Sequence, residues 1–221
     1  MLDKNLLDFI KQRYEVHTII LYGSRARGDW DNNSDYDIFG ISDNGDGRSD
    51  YLFLDEEYLD IKVYPIKKLD NIESFVYQKP ELYCGRVLCQ RNTIGSELMN
   101  VFIEIYRRGP NPLSVEQKMA FLLSTRRALQ CIQESNVVSN YKRHKLLFMV
   151  LKIYFWMRDM WYTGPKEGLE WLKHNDPEAY TAFQTGLKSY ASYSEIERLV
   201  SYVTQSINGD HFSTVHKFIN S

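Results

Sequence analysis

The chain has 221 residues, a formal net charge of -2, 43% hydrophobic residues and 25% charged residues. That composition suits an ordinary globular protein with core enough for one large domain or two small ones. It excludes a global excess of basic residues of the kind that advertises nucleic-acid binding, and the most apolar stretch, Leu146 to Trp161, is short for a membrane span and carries Lys152, Arg158 and Asp159.

In chain order, residues 3–14 place Leu6, Leu7, Phe9 and Ile10 at helical spacing. Val16 to Tyr22 is a β-branched run that reads as a buried strand and stops at Gly23-Ser24, where a short helix can start. Tyr36 to Ile41 reads as a second strand, and Asp43 to Asp50 as a hairpin loop; Leu54 stands where a calcium loop would need Glu. Short strands are expected at 51–54, 58–64 and 85–89, with helices at 66–78 and 95–108. Gly109-Pro110-Asn111-Pro112 is the clearest break. After it the pattern is helical: about 114–134, opened by a Ser114/Gln117 capping box, then 141–162, 166–174, 177–190 and 194–207. The expected class is α+β. A small mixed-sheet domain, residues 1–109, has helices mainly on one face, and an all-α bundle follows at 110–221.

The chemistry is concentrated in Gly23-Ser24-Arg25-Ala26-Arg27-Gly28 and Ser34-Asp35-Tyr36-Asp37. A strand ending in glycine lets the backbone approach a ligand closely. A hydroxyl and a helix start then suit phosphate oxygens, with Arg25 and Arg27 adding positive charge. Asp35 and Asp37, two apart on an extended chain, share one face. Such carboxylates repel until a divalent cation bridges them, and oxygen donors of this kind suit Mg²⁺, with Mn²⁺ as the alternative. Asp60 heads an alternating strand and supplies a third carboxylate if that strand lies beside the one carrying Asp37.

Gly23-Ser24-x-x-x-Gly28, Ser34-Asp35-x-Asp37 and the later Asp60 resemble the DNA polymerase β-like nucleotidyltransferase superfamily. Within it, the chain looks like the small bacterial type with an appended helical domain, such as aminoglycoside nucleotidyltransferases. The resemblance covers residues 21–64. It implies an enzyme that moves a nucleoside monophosphate from an NTP to an acceptor and expels pyrophosphate. Asp35 and Asp37 would hold two Mg²⁺ ions, and Asp60 the second of them while serving as base. Gly23, Ser24, Arg25, Arg27 and Ser34 would form the nucleotide-binding set. ATP is the expected donor, and a small-molecule hydroxyl, as on an antibiotic, the expected acceptor. The alternatives are a protein hydroxyl, as in toxin–antitoxin systems, and a nucleotide-binding pseudoenzyme. In such relatives the second domain completes the site, so the site is expected between the two domains.

Other features read more plainly. Cys84, Cys89 and Cys131 are odd in number, form no CxxC pair and read as free thiols. His144, His174, His211 and His216 show no metal-ligand grouping. Lys145, Lys152 and Asp159 are spaced by sevens, a solvent stripe or one that faces the cleft. Tyr154, Trp156, Trp161 and Tyr162 read as helix packing. Neither a membrane nor nucleic acid is an expected partner. With no signal peptide at the N-terminus, the expected location is cytoplasmic.

Overall fold

In a computed structural model, which describes residues 4–134 and 136–205, the chain divides into two compact units, Met1–Arg108 and Gly109–Ser221. Gly109 marks the division with a left-handed φ of 86°, a conformation glycine adopts without a Cβ penalty.

The first unit holds a five-stranded sheet. Its elements are α1 (Lys4–Tyr14), β1 (Val16–Tyr22), α2 (Gly23–Arg27), β2 (Tyr36–Ser42), β3 (Arg48–Leu54), β4 (Glu57–Pro65), α3 (Ile72–Gln78), β5 (Arg86–Cys89) and α4 (Ile94–Arg108). The strand order is β3-β4-β2-β1-β5. β2 and β4 pair in parallel, and the other pairs are antiparallel. The sheet is therefore mixed. The β3–β4 hairpin turns on Asp55 and Glu56, at φ 50° and 64°, as a two-residue turn of the right twist requires.

Burial explains the layering. β1 and β2 are buried along most of their length on both faces, as central strands are. α1 packs Leu6, Ile10 and Tyr14 on one face, against Ile19, Leu21, Ile38, Leu59 and Ile61. On the other, Phe39 meets Tyr64 at 5.3 Å, Phe75 of α3 at 5.5 Å and Phe102 of α4 at 6.3 Å between ring centroids. Helices thus cover both faces, where one face was expected. The hairpin expected at 43–50 is also corrected: that loop carries the chain from β2 past β4 to the edge strand β3, and the hairpin is β3–β4. The helix expected at 66–78 is a 3₁₀ turn, Ile66–Leu69, followed by α3. Asn71 restarts the chain there as an N-cap, accepting from the Ser74 N–H.

The second unit is α5 (Val115–Gln130), α6 (Val137–Met157), α7 (Pro165–Asn175), α8 (Pro177–Gly186) and α9 (Tyr193–Thr204). It packs around Val150, Leu172, Phe183, Ile196 and Leu199. Ser114 and Gln117 form the capping box of α5. α6 begins earlier than expected because Asn136 caps it through the Ser139 N–H, and it ends at Met157. Asp159 has therefore left the helix, with φ 53°. Its carboxylate accepts from Leu113 N–H at 2.8 Å and Lys118 Nζ at 2.6 Å. No stripe joins it to Lys145 and Lys152, and Lys152 Nζ sits 4.5 Å from the Trp156 ring. Tyr154 is buried, and its hydroxyl donates to Asp176 at 2.6 Å. The aromatic cluster is packing here. Residues 206 and 207 of the last expected helix, with His211 and His216, lie outside the described residues. Among those described, no helix is long and apolar enough to cross a membrane, and the three cysteines are free.

Candidate active site

β1 runs out at Tyr22, and the chain turns through Gly23 into the single turn of α2. Two glycines make that turn possible. Gly23 sits at φ 70°, and a Cβ there would lie 1.9 Å from Asp37 Oδ2. The Asp37 carboxylate therefore rests directly on the Gly23 backbone. Gly28, at φ 90°, closes α2 in the left-handed conformation, its N–H donating to Ser24 carbonyl oxygen at 2.9 Å. Ser24 lies in the first residues of α2, half-buried.

Register brings the carboxylates together. Tyr22 is opposite Asp37, Asp37 opposite Asp60 and Asp60 opposite Tyr51. These four residues form a row across β1, β2, β4 and β3, on one face of the sheet. Neighbouring strands are about 4.8 Å apart, so Asp37 and Asp60 stand side by side. Asp35 precedes β2 by one residue and its charge acts on Asp37. Burial pushes the Asp37 carboxyl up to about 7, reinforced by the charges of Asp35 and Asp60; Lys62 opposes and Glu81 adds to the rise. Burial, with the same carboxylates, holds the Tyr22 phenol protonated far above its usual range.

Two residues bear on this row beyond the expected site set. Lys62 donates to Asp60 Oδ2 and to Tyr22 Oη, the latter at 3.3 Å. Its signal was the Asp-x-Lys alternation of β4, which turns both side chains to one face. Glu81 comes from the 3₁₀ turn Pro80–Cys84, and its charge reaches Asp37 and Tyr22. No local pattern marks it.

The cationic part of the expected nucleotide set is engaged with protein groups. Arg25 points at protein. Its Nη2 donates to Glu57 at 2.5 Å and to Ser34 carbonyl oxygen at 2.8 Å, and its guanidinium lies 3.9 Å from the Tyr36 ring. With 9% side-chain exposure, it braces the loop before β2. Arg27 pairs with Asp29 at 3.2 Å and reaches Cys84 Sγ at 4.0 Å. The Ser34 hydroxyl accepts from Asp31 N–H at 3.0 Å and shapes the same loop. Gly23 and Ser24 stay at the turn beside Asp37.

The donor set suits a hard divalent cation in kind: Asp37 and Asp60 share a face with Asp35 just upstream, and the Asp37 carboxyl, raised first by burial, is raised further by neighbouring carboxylates whose repulsion a cation would relieve. The carboxylates do not close on one point as they stand. Among the described residues, no three His, Cys, Asp or Glu side chains are grouped tightly enough to hold an ion, and Asp60 is turned to Lys62.

The family model described as "Polymerase beta, Nucleotidyltransferase" matches residues 4–96. Among solved structures, the chain is similar to a nucleotidyltransferase-like protein from Exiguobacterium sibiricum 255-15. The identity is 13%, over 91% of this chain and 71% of that one, with a TM-score of 0.40. No curated protein matches. The row of carboxylates beside the Gly23 turn thus lies within residues 4–96, the segment that matches the nucleotidyltransferase family model.

Proposed function

We propose that the protein transfers a nucleoside monophosphate from an NTP, ATP in the first instance, to a hydroxyl of a small-molecule acceptor such as an antibiotic. The acceptor oxygen forms a bond to Pα, the bond from Pα to the bridging oxygen breaks, and pyrophosphate leaves. The observation that carries this reading is the pairing of Asp37 with Asp60, with Asp35 just upstream and the Gly23 turn alongside. Asp35 and Asp37 would hold Mg²⁺ against the triphosphate, and Asp60 would face the acceptor. Bound divalent ions would neutralise the phosphate charge and lower the acceptor hydroxyl's pKa. The chain's own part is positioning. Gly23 lets the phosphates approach, and Arg25 and Glu57 fix the loop that delivers Asp35. Asp60, when ionised, takes the hydroxyl proton.

Calorimetric titration with ATP, GTP, CTP and UTP in Mg²⁺ tests this, on the wild type and on Asp35→Asn/Asp37→Asn. Metal-dependent binding of at least one NTP, lost in the double variant, is expected. No binding by a folded wild type would overturn it.

A second reading is binding without transfer, and the Lys62–Asp60 ion pair favours it: a carboxylate held by lysine is less free to act as a base. Pyrophosphate release separates the two. A protein that binds NTP but releases none with any acceptor is a binding module.

A further inference from the structure

A cation of the chain's own stands at the carboxylate row. Lys62 leaves β4 on the same face as Asp60, two residues on. Its ammonium donates to Asp60 Oδ2 and to Tyr22 Oη, the latter at 3.3 Å. Tyr22 and Asp60 are the neighbours of Asp37 on either side of it in the row. Lys62 thus bridges β4 to β1 across the strand that carries Asp37. The Lys62 side chain is 22% exposed and that of Asp60 23%, so salt and water screen this pair less than a fully exposed one.

Its neighbours in the row are negative. Asp35, Asp60 and Glu81 act on Asp37 in one direction and Lys62 in the other. The arginines of the Gly23 turn are engaged elsewhere, Arg25 with Glu57 and the Ser34 carbonyl, and Arg27 with Asp29. Lys62 therefore does in the folded chain what a divalent ion does in the transfer reading: it offsets crowded carboxylates. The two compete, because an ion that reaches Asp60 meets an ammonium there and is repelled by it. A polyphosphate changes that balance. Its oxygens are strong acceptors for an ammonium. A lysine head is a point charge on a flexible four-carbon stem, so it can move to a new acceptor while its backbone stays paired in β4. Phosphates that arrive with the metal offer Lys62 a replacement for Asp60.

We propose that Lys62 is a positioning residue that withholds Asp60 from divalent ions until the phosphates of a nucleotide draw its ammonium away. Asp60 is then released for the metal and the acceptor hydroxyl only when a nucleotide is in place. This role rests on the transfer reading above. It turns the Lys62–Asp60 pair from a permanent block into a hold that substrate releases. It also makes nucleotide and metal depend on each other, since coupling between two ligands is reciprocal.

The test uses the full chain and two titrations, on the wild type and on Lys62→Met, which keeps an unbranched stem and removes the charge. Mn²⁺ binding is followed by electron paramagnetic resonance without nucleotide. Binding of ATP, GTP, CTP and UTP is followed by calorimetry at saturating Mn²⁺. Opposite effects are expected. Lys62→Met binds Mn²⁺ tighter by about fivefold or more without nucleotide, and binds NTP several-fold weaker with metal present. Adding Asp60→Asn to Lys62→Met is expected to abolish the gain in Mn²⁺ affinity. A thermal melt checks folding, and Lys62→Gln repeats both titrations if Lys62→Met unfolds. Mn²⁺ affinity unchanged or lower in the variant overturns the proposal. A gain that survives Asp60→Asn overturns it too, because the lysine then acts as a distant charge and not through Asp60. NTP binding unchanged or tighter in the variant also overturns it, because the ammonium then never meets the phosphates. NTP titration of the wild type separates the hold from the reading it rests on. NTP binding with Mn²⁺ affinity unchanged in Lys62→Met removes the hold and leaves transfer standing. No NTP binding by a folded wild type removes both.

Discussion

Gly23 and Asp37 are the tightest coupling in the site. A methyl at Gly23 would overlap the Asp37 carboxylate and would also sit at φ 70°, a conformation that costs other residues about 1–3 kcal/mol. Gly23→Ala is therefore expected to lower stability by roughly that amount and to weaken Mg²⁺-dependent NTP binding by at least about tenfold, since 1.4 kcal/mol is a factor of ten. Melting and calorimetry on one preparation check both, and unchanged binding would count against the Gly23 contact. Asp37 sets a pH dependence. Its carboxyl is raised to about 7 in the folded chain, against about 4 unfolded. The stability from its neutral form is complete below about pH 4 and is lost as pH rises through about 7. Without divalent ions, the melting temperature is expected to fall between pH 5 and 8. The fall should be shallower in Asp37→Asn, and Mg²⁺ should reverse it in the wild type. A flat profile in EDTA would contradict the raised Asp37 carboxyl.

At the scale of elements, the loop from α2 to β2 is the piece that aims Asp35. Arg25 ties its far end to β4, through Ser34 carbonyl oxygen and Glu57. The planar fork of arginine serves two acceptors and a ring at once, and lysine's point charge does not. Arg25→Lys is expected to keep the fold but weaken Mg²⁺-dependent NTP binding by several-fold, and Glu57→Gln to do so less. Nucleotide affinity with and without metal checks this. A loss of binding that is the same without metal would instead make Arg25 a direct phosphate ligand, as its charge and position in the motif first suggest.

For the whole molecule, charge decides which polymers it meets. The formal net charge is -2, and the face carrying Asp35, Asp37 and Asp60 adds local negative potential. Retention on a heparin column is expected to be weak, with elution early in a salt gradient. Strong retention would point to a nucleic-acid acceptor instead. Each unit carries its own apolar cluster, so substitutions in the core of either are judged against that core.

Local pattern was enough for much of this. The β-branched run of β1, the alternation of β4 and the Ser114 box are properties of neighbours in sequence, and they reappear as elements. Asp37 falls on the face opposite Tyr36 and Ile38 because a strand has period two. The helix starts were less legible at Asn71 and Asn136, where a single side-chain cap overrides the apolar pattern on either side. Other features needed the folded chain. Asp60 stands beside Asp37 only because β3 swings to the edge and leaves β4 to pair with β2 in parallel. The partners of Arg25, the approach of Glu81 to Asp37 and the capture of Asp159 by Lys118 join residues well separated along the chain. A sequence specifies its periods and turns locally. Which charge meets which is settled by long-range packing, because the energy of such a pair depends on a distance that no short window contains.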